Sequence, residues 1–242
     1  MQTRTMHCPT SRNWPKSDLA RGKLAFNSKK AGKKPRHFFS HVRFGKKTMM
    51  VPLFPVVMHI TEISNFKGIE KDLIKCAYKY RKKDPKGRVI SNRGGWQSSF
   101  LEKENSIIKS TLISVISSYF QSNKIYESNI KLGSLWVNIN GKGNYNETHH
   151  HPTAHLSGVM WIKTPSDCGR IEFASPNDFV QGYELEISTK NHAEEYKAFP
   201  SYYFNPTAGA VIIFPSFLPH HVDPNNSHED RISVSFNLLF NK

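Results

Sequence analysis

Apolar positions along this chain change their spacing near its midpoint. From Phe66 to Lys83, Ile69, Leu73, Cys76, Ala77 and Tyr80 recur at helical intervals, and "DPKG" ends the pattern. Glu102 to Ser122 repeats it, with Ile107, Ile108, Leu112, Val115, Ile116 and Phe120 on one side, which predicts a second helix. Between them "RVISNRGGWQSSF" reads as a polar, glycine-containing loop. Upstream, "VPLFPVVMHI" (Val51–Ile60) is a proline-interrupted apolar segment suited to an edge strand.

After Lys124 the helical spacing disappears. "SLWVNIN", "LSGVMWIK", "GRIEFAS", "SYYFNP", "GAVIIFPS" and "RISVSFNLLF" are short apolar or alternating runs parted by turn residues. Many short strands after a pair of helices predict a mostly β protein with flanking helices (α+β), a sandwich or jelly roll braced on one side. Tyr202, Tyr203 and Phe204 are expected in the core and rim of a sheet. No Gly-rich phosphate loop and no run of about 20 apolar residues is present, so neither a P-loop nor a membrane helix is expected.

Composition alters this picture at one place. The formal net charge is +15, but residues 1–48 hold thirteen Lys or Arg against Asp18 as the one acid, leaving the remainder close to neutral. That first segment has no sustained apolar period and is expected to be a disordered basic extension. Residues 49–242 are expected to form the folded domain. Three accounts of the extension stay open: a basic arm contacting phosphates, a transit-type segment, and a start placed upstream of the true one at "MMVPLFPV". Nucleic acid as a partner rests on that arm alone. Cys8, Cys76 and Cys168 are widely spaced and form no CxxC pair, so they read as reduced thiols of a cytoplasmic protein.

Chemistry concentrates in "NETHHHPTAH", Asn146 to His155. If Thr148–Pro152 is extended, His149 and His151 share a face about 6.6 Å apart along the backbone while His150 points away. Two such imidazoles can converge on one ion at about 2.0–2.2 Å. A third ligand is expected from "FPSFLPHHVDPN", at His220 or alternatively His221, and Glu147 is the nearest carboxylate able to replace or support a ligand. In "RISVSFNLLF", Arg231, Ser233, Ser235 and Asn237 share one face opposite Ile232, Val234, Phe236 and Leu238. An arginine among small polar residues suits a ligand carboxylate, to which a guanidinium presents a planar fork. Asn138 and Asn140 share a face of "SLWVNIN" and are expected in the same pocket. Trp96 and Gln97 are expected either to close over it as a lid or to anchor their loop on the core.

The order H-x-H-P, "LSGVMW", "GAVIIFPSFLPH" and R-x-S, with "SNRGGWQS" and "VPLFP" upstream, resembles a family of bacterial and phage 2-oxoglutarate/iron(II) oxygenases built on the double-stranded β-helix. The resemblance runs from about Val51 to the end. It implies His149, His151 and His220 as ligands of Fe(II), Arg231 and Ser233 (with Asn138 beside them) on 2-oxoglutarate, and O2 and an unidentified substrate as further reactants. The implied activity is a dioxygenase, most simply a hydroxylase. This chain departs from the superfamily's H-x-D/E by placing histidine at His151, and a three-histidine set also suits zinc and cupin-type iron. A cupin-like metalloenzyme without 2-oxoglutarate and a non-catalytic jelly-roll module are the rival readings.

Overall fold

The computed structural model describes residues 56–123, 129–177 and 199–241. The basic segment 1–48, Cys8 and the start of "VPLFPVVMHI" lie outside the described residues.

The helical spacing of Ile69, Leu73 and Ala77 produces α1 (Phe66–Lys83), which buries Phe66, Leu73 and Ala77. Arg81, Lys82 and Lys83 fill its last turn, where positive charge offsets the partial negative charge of unpaired carbonyls. The second helix, α2 (Ile107–Asn123), buries Ile108, Leu112 and Ile116. It starts five residues later than Glu102. Ser106 Oγ accepts the Lys109 backbone N–H at 3.3 Å, so the serine caps the helix and the preceding residues form a turn.

The strands, in chain order, are β1 (His59–Glu62), β2 (Asn92–Arg93), β3 (Trp96–Gln97), β4 (Asn129–Asn140), β5 (Tyr145–His149), β6 (Leu156–Lys163), β7 (Ile171–Ala174), β8 (Ser201–Phe204), β9 (Ala210–Pro215), β10 (His220–Val222) and β11 (Arg231–Asn241). One sheet has the order β1-β9-β6-β11-β4-β3 and the other β2-β5-β10-β7-β8. Every pairing among the described residues is antiparallel. Residues 92–93 and 96–97, read as loop, supply an edge strand to each sheet. The β1 strand starts at His59 and pairs with β9 at the sheet edge.

Alternation along the strands divides the apolar residues between two cores. Val211 and Ile213 of β9, and Ile232, Val234, Phe236 and Leu238 of β11, join the buried residues of α1 and α2 in a cluster on one face of the six-stranded sheet. Ile212 and Phe214 belong with Val159, Trp161, Ile171, Phe173 and Leu218 to a second cluster between the sheets. The expected arrangement is therefore present: a jelly roll braced on one face by two helices. The polar face of β11 is turned away from the helices and towards the facing sheet. Tyr202 and Tyr203 are exposed on β8, the outer strand of its sheet, and only Phe204 of that trio packs against the core between the sheets. No helix among the described residues is long and apolar enough to cross a membrane.

Candidate metal centre and cosubstrate face

Strands β5 and β10 place His149 directly opposite His220 in register. Their ring centroids are 4.4 Å apart. His151 lies past the end of β5, where its backbone N–H donates to Ser216 O at 2.8 Å and ties the segment to the turn after β9. Its ring stands 5.1 Å from that of His149 and 5.3 Å from that of His220. One nitrogen from each of the three rings lies within 4.8 Å of the others.

Local hydrogen bonds fix which nitrogens face the centre. His149 Nδ1 lies 2.7 Å from Glu147 O, and His220 Nδ1 lies 2.9 Å from Leu218 O. A carbonyl oxygen only accepts, so each Nδ1 carries the proton and each Nε2 presents its lone pair. Burial holds all three imidazoles neutral, reinforced by the neighbouring rings: His151 is pushed down to about 4, His220 to about 3, and His149 is lowered although its bond to the Glu147 carbonyl acts the other way. Neutral imidazoles with converging ring nitrogens are the form a divalent transition ion binds. Two bonds of about 2.0–2.2 Å to one ion place their nitrogens roughly 3–3.5 Å apart, so the trio needs only to draw slightly inward. The donor set fits iron(II).

The other two alternatives for a ligand are occupied elsewhere. His221 Nε2 lies 3.3 Å from Asp223 Oδ1, and Glu147 is exposed and held by Arg93, whose Nε donates to Oε1 at 2.9 Å. His150 is exposed, and His155 packs against Phe240 at 5.0 Å.

A cavity of about 440 Å³ opens from the trio across the polar face of the six-stranded sheet. Register puts Gln97, Asn138 and Ser233 in one row across β3, β4 and β11, and Trp136 opposite Ser235 in the next. Arg231, Ser233, Ser235 and Asn237 all line the cavity, as do Asn138 and Gln97. Asn138 Nδ2 donates to Ser235 Oγ at 3.0 Å, leaving buried Oδ1 without a partner. Trp96 turns the other way. It is buried in the core against the helices, and its Nε1 donates to Asp84 O at 2.8 Å, so it is the anchor of its loop and not a lid. Asn140 is also directed away, against Gly95.

Arg231 is 2% exposed. Its Nη1 donates to the carbonyls of Cys168, Asp223 (3.1 Å) and Gly169 (3.4 Å). Burial lowers its pKa to about 10, partly opposed by Cys168 and Asp223, which leaves it charged at neutral pH. Gly169 permits this approach: it has φ +79°, and a Cβ there would meet Arg231 Nη1 at 2.8 Å and Pro224 O at 2.6 Å.

Two groups at this site were not singled out from the sequence. Ser91 Oγ lies 3.5 Å from His149 Nε2, with nothing in the sequence pattern to mark it. Trp136, 5.7 Å from the His151 ring, could have been found, because it alternates with Asn138 on the same strand.

Sequence comparison with curated proteins finds no match. Residues 134–237 match a family model described as "Putative 2OG-Fe(II) oxygenase". Among solved structures, the chain is similar in fold to a Pseudomonas putida prolyl-4-hydroxylase, with 12% identity, 77% of this chain and 93% of that one covered, and a TM-score of 0.51. It is likewise similar to the non-heme alpha-ketoglutarate-dependent carbocyclase SnoK from nogalamycin biosynthesis, at 12% identity, 76% and 79% coverage and a TM-score of 0.54. A Trichoplax adhaerens prolyl hydroxylase, solved with a hypoxia-inducible-factor peptide, gives 13% identity, 76% and 82% coverage and a TM-score of 0.51. The matched segment contains all three histidines, Arg231 and the strands between them, so the part of the chain that carries the candidate site is similar to the 2-oxoglutarate/iron(II) oxygenase family.

Proposed function

We propose that His149, His151 and His220 hold iron(II), that Arg231, Ser233 and Asn138 hold 2-oxoglutarate, and that the protein hydroxylates a carbon of a substrate entering the same cavity. The observation carrying this reading is that three imidazoles, each with a ring nitrogen within 4.8 Å of the other two, converge on one cavity also lined by a buried guanidinium.

Charge supports the cosubstrate assignment. Three neutral imidazoles leave a divalent ion uncompensated, Arg231 adds a further positive charge, and Glu147 is already paired with Arg93. Such a site favours a dianion, and 2-oxoglutarate is one at neutral pH. A metalloenzyme without a dicarboxylate has no use for an arginine at the far end of the cavity, which disfavours the cupin-like alternative. When bound, iron and 2-oxoglutarate supply oxygen activation coupled to oxidative decarboxylation of the cosubstrate. The protein's share is positional. Glu147 O and Leu218 O fix the tautomers of His149 and His220, and Arg231 fixes the carboxylate remote from the metal. The Trp136, Phe214 and Phe173 rings shield the imidazoles from water.

Addition of iron(II) and 2-oxoglutarate under anaerobic conditions is expected to give the visible charge-transfer band of the chelate. His149→Ala should abolish it, and Arg231→Gln should shift its half-saturation to higher 2-oxoglutarate. A band unchanged in both variants refutes the assignment.

A further inference from the structure

The cavity has a second cationic end that the metal and cosubstrate leave unused. Phe100 is 51% exposed and stands edge-on to Trp136 at 6.0 Å, and Trp136 in turn lies 5.7 Å from His151. Aromatic faces thus run from the mouth to the histidines. The Arg88 guanidinium rests 4.6 Å above the Phe100 ring. Ile90, 57% exposed, adds an aliphatic surface to the same lining.

Arg88 differs from its neighbour Arg93. Arg93 is neutralised by Glu147, whereas Arg88 meets no carboxylate among the described residues. A guanidinium laid on an aromatic ring is held in place yet keeps its edge N–H groups for an anion. Its location is remote from Arg231. Arg231 stands opposite Asn140 and Ser235 opposite Trp136, so the aromatic wall is four residues along β11 from the buried arginine, roughly 13 Å at strand spacing. The two cations mark separate ends, and His151 stands beside the aromatic one.

We propose that Arg88, Phe100 and Trp136 form the substrate-recognition wall, selecting a molecule with a flat apolar body and one anionic group. The body lies on Phe100 and Trp136, the anion pairs with Arg88, and the carbon to be oxidised faces the histidines. Only that last orientation rests on the metal-centre reading.

The test uses the full chain with Mn(II) in place of iron, saturated with 2-oxoglutarate, and titrated with 2-naphthoate, 2-naphthyl phosphate and neutral 2-naphthalenemethanol. Tryptophan quenching and calorimetry report binding without turnover. At least one anion should bind about tenfold tighter than the alcohol, the worth of one charge-assisted hydrogen bond. Which anion shows the gain distinguishes carboxylate from phosphate substrates. Arg88→Gln should erase the difference, Arg88→Lys should retain part of it, and Phe100→Ala should weaken all three ligands several-fold. The proposal is overturned if the alcohol binds as tightly as both anions, if the preference survives in Arg88→Gln, or if raising 2-oxoglutarate displaces the anionic probe, which would put it at Arg231. Failure of 2-oxoglutarate itself to bind would strike the cosubstrate assignment, while the naphthyl preference would still stand or fall on Arg88.

Discussion

Replacing Arg231 by glutamine tests two roles in one side chain. The guanidinium is buried and its Nη1 alone serves the carbonyls of Cys168, Asp223 and Gly169, clamping the turn before β7 to the segment after β10. Hydrogen bonds to a charged group contribute about 1.5–3 kcal/mol each, and glutamine can replace at most one. Counting two as lost gives a destabilisation of about 4 kcal/mol. For a domain of this size each kcal/mol lowers the melting temperature by about 2–4 °C, so a drop of roughly 8–16 °C is expected. On the cosubstrate assignment proposed above, the same change removes a bidentate carboxylate partner and should weaken 2-oxoglutarate binding about 30–100-fold, corresponding to about 2–3 kcal/mol. Thermal unfolding by near-ultraviolet circular dichroism measures the first effect, and calorimetric titration of the Mn(II)-loaded protein below its melting range measures the second. A melting temperature within 2 °C of the parent refutes the clamp. Unchanged 2-oxoglutarate affinity in a destabilised variant shows that the guanidinium is only a clamp.

Three further predictions concern the same region. Gly169→Ala forces a left-handed backbone onto a residue with a Cβ, about 1–2 kcal/mol by itself, and drives that Cβ against the Asp223 carbonyl, so melting temperature and 2-oxoglutarate affinity should fall together; loss of neither contradicts the close packing around Arg231. Metal-free protein should lose stability as pH falls from about 6.5, because the unfolded chain takes up protons that His151 and His220 resist down to about 4 and 3. For His220 this amounts to about 2 kcal/mol by pH 5, visible as a lower urea midpoint, and His220→Phe should flatten the slope; an unchanged slope rules it out. Mn(II) or Ni(II) at about a hundred times its dissociation constant should raise the melting temperature by roughly 5–11 °C, reversibly with chelator. His151→Ala should remove that shift, and a comparable loss in His150→Ala, whose side chain is exposed, would contradict the ligand set.

What the sequence disclosed follows from how local each signal is. Helix α1 and the two faces of β11 were legible because burial is periodic there and one side chain in two or four decides the face. The start of α2 was misplaced because the cap at Ser106, and not the run of apolar residues, sets where the helix begins. Strands β2 and β3 are two residues each, too short for any period, and exist through their long partners β5 and β4. His149, His151 and His220 could be nominated from spacing, whereas having His220 and not His221 beside His149 depends on β10 facing β5 in a particular phase, which only pairing fixes. The Arg88–Phe100 stack was out of reach, since nothing in one dimension relates a half-buried arginine to a phenylalanine twelve residues on.

His149 and His220 each donate their ring Nδ1–H to the carbonyl two residues earlier in the chain. The orientation of these two rings is therefore set in part by a three-residue stretch of backbone around each. If these histidines are the ligands proposed above, two of the three would keep their tautomer when the surrounding side chains are exchanged, which makes the scaffold a favourable starting point for redirecting its chemistry.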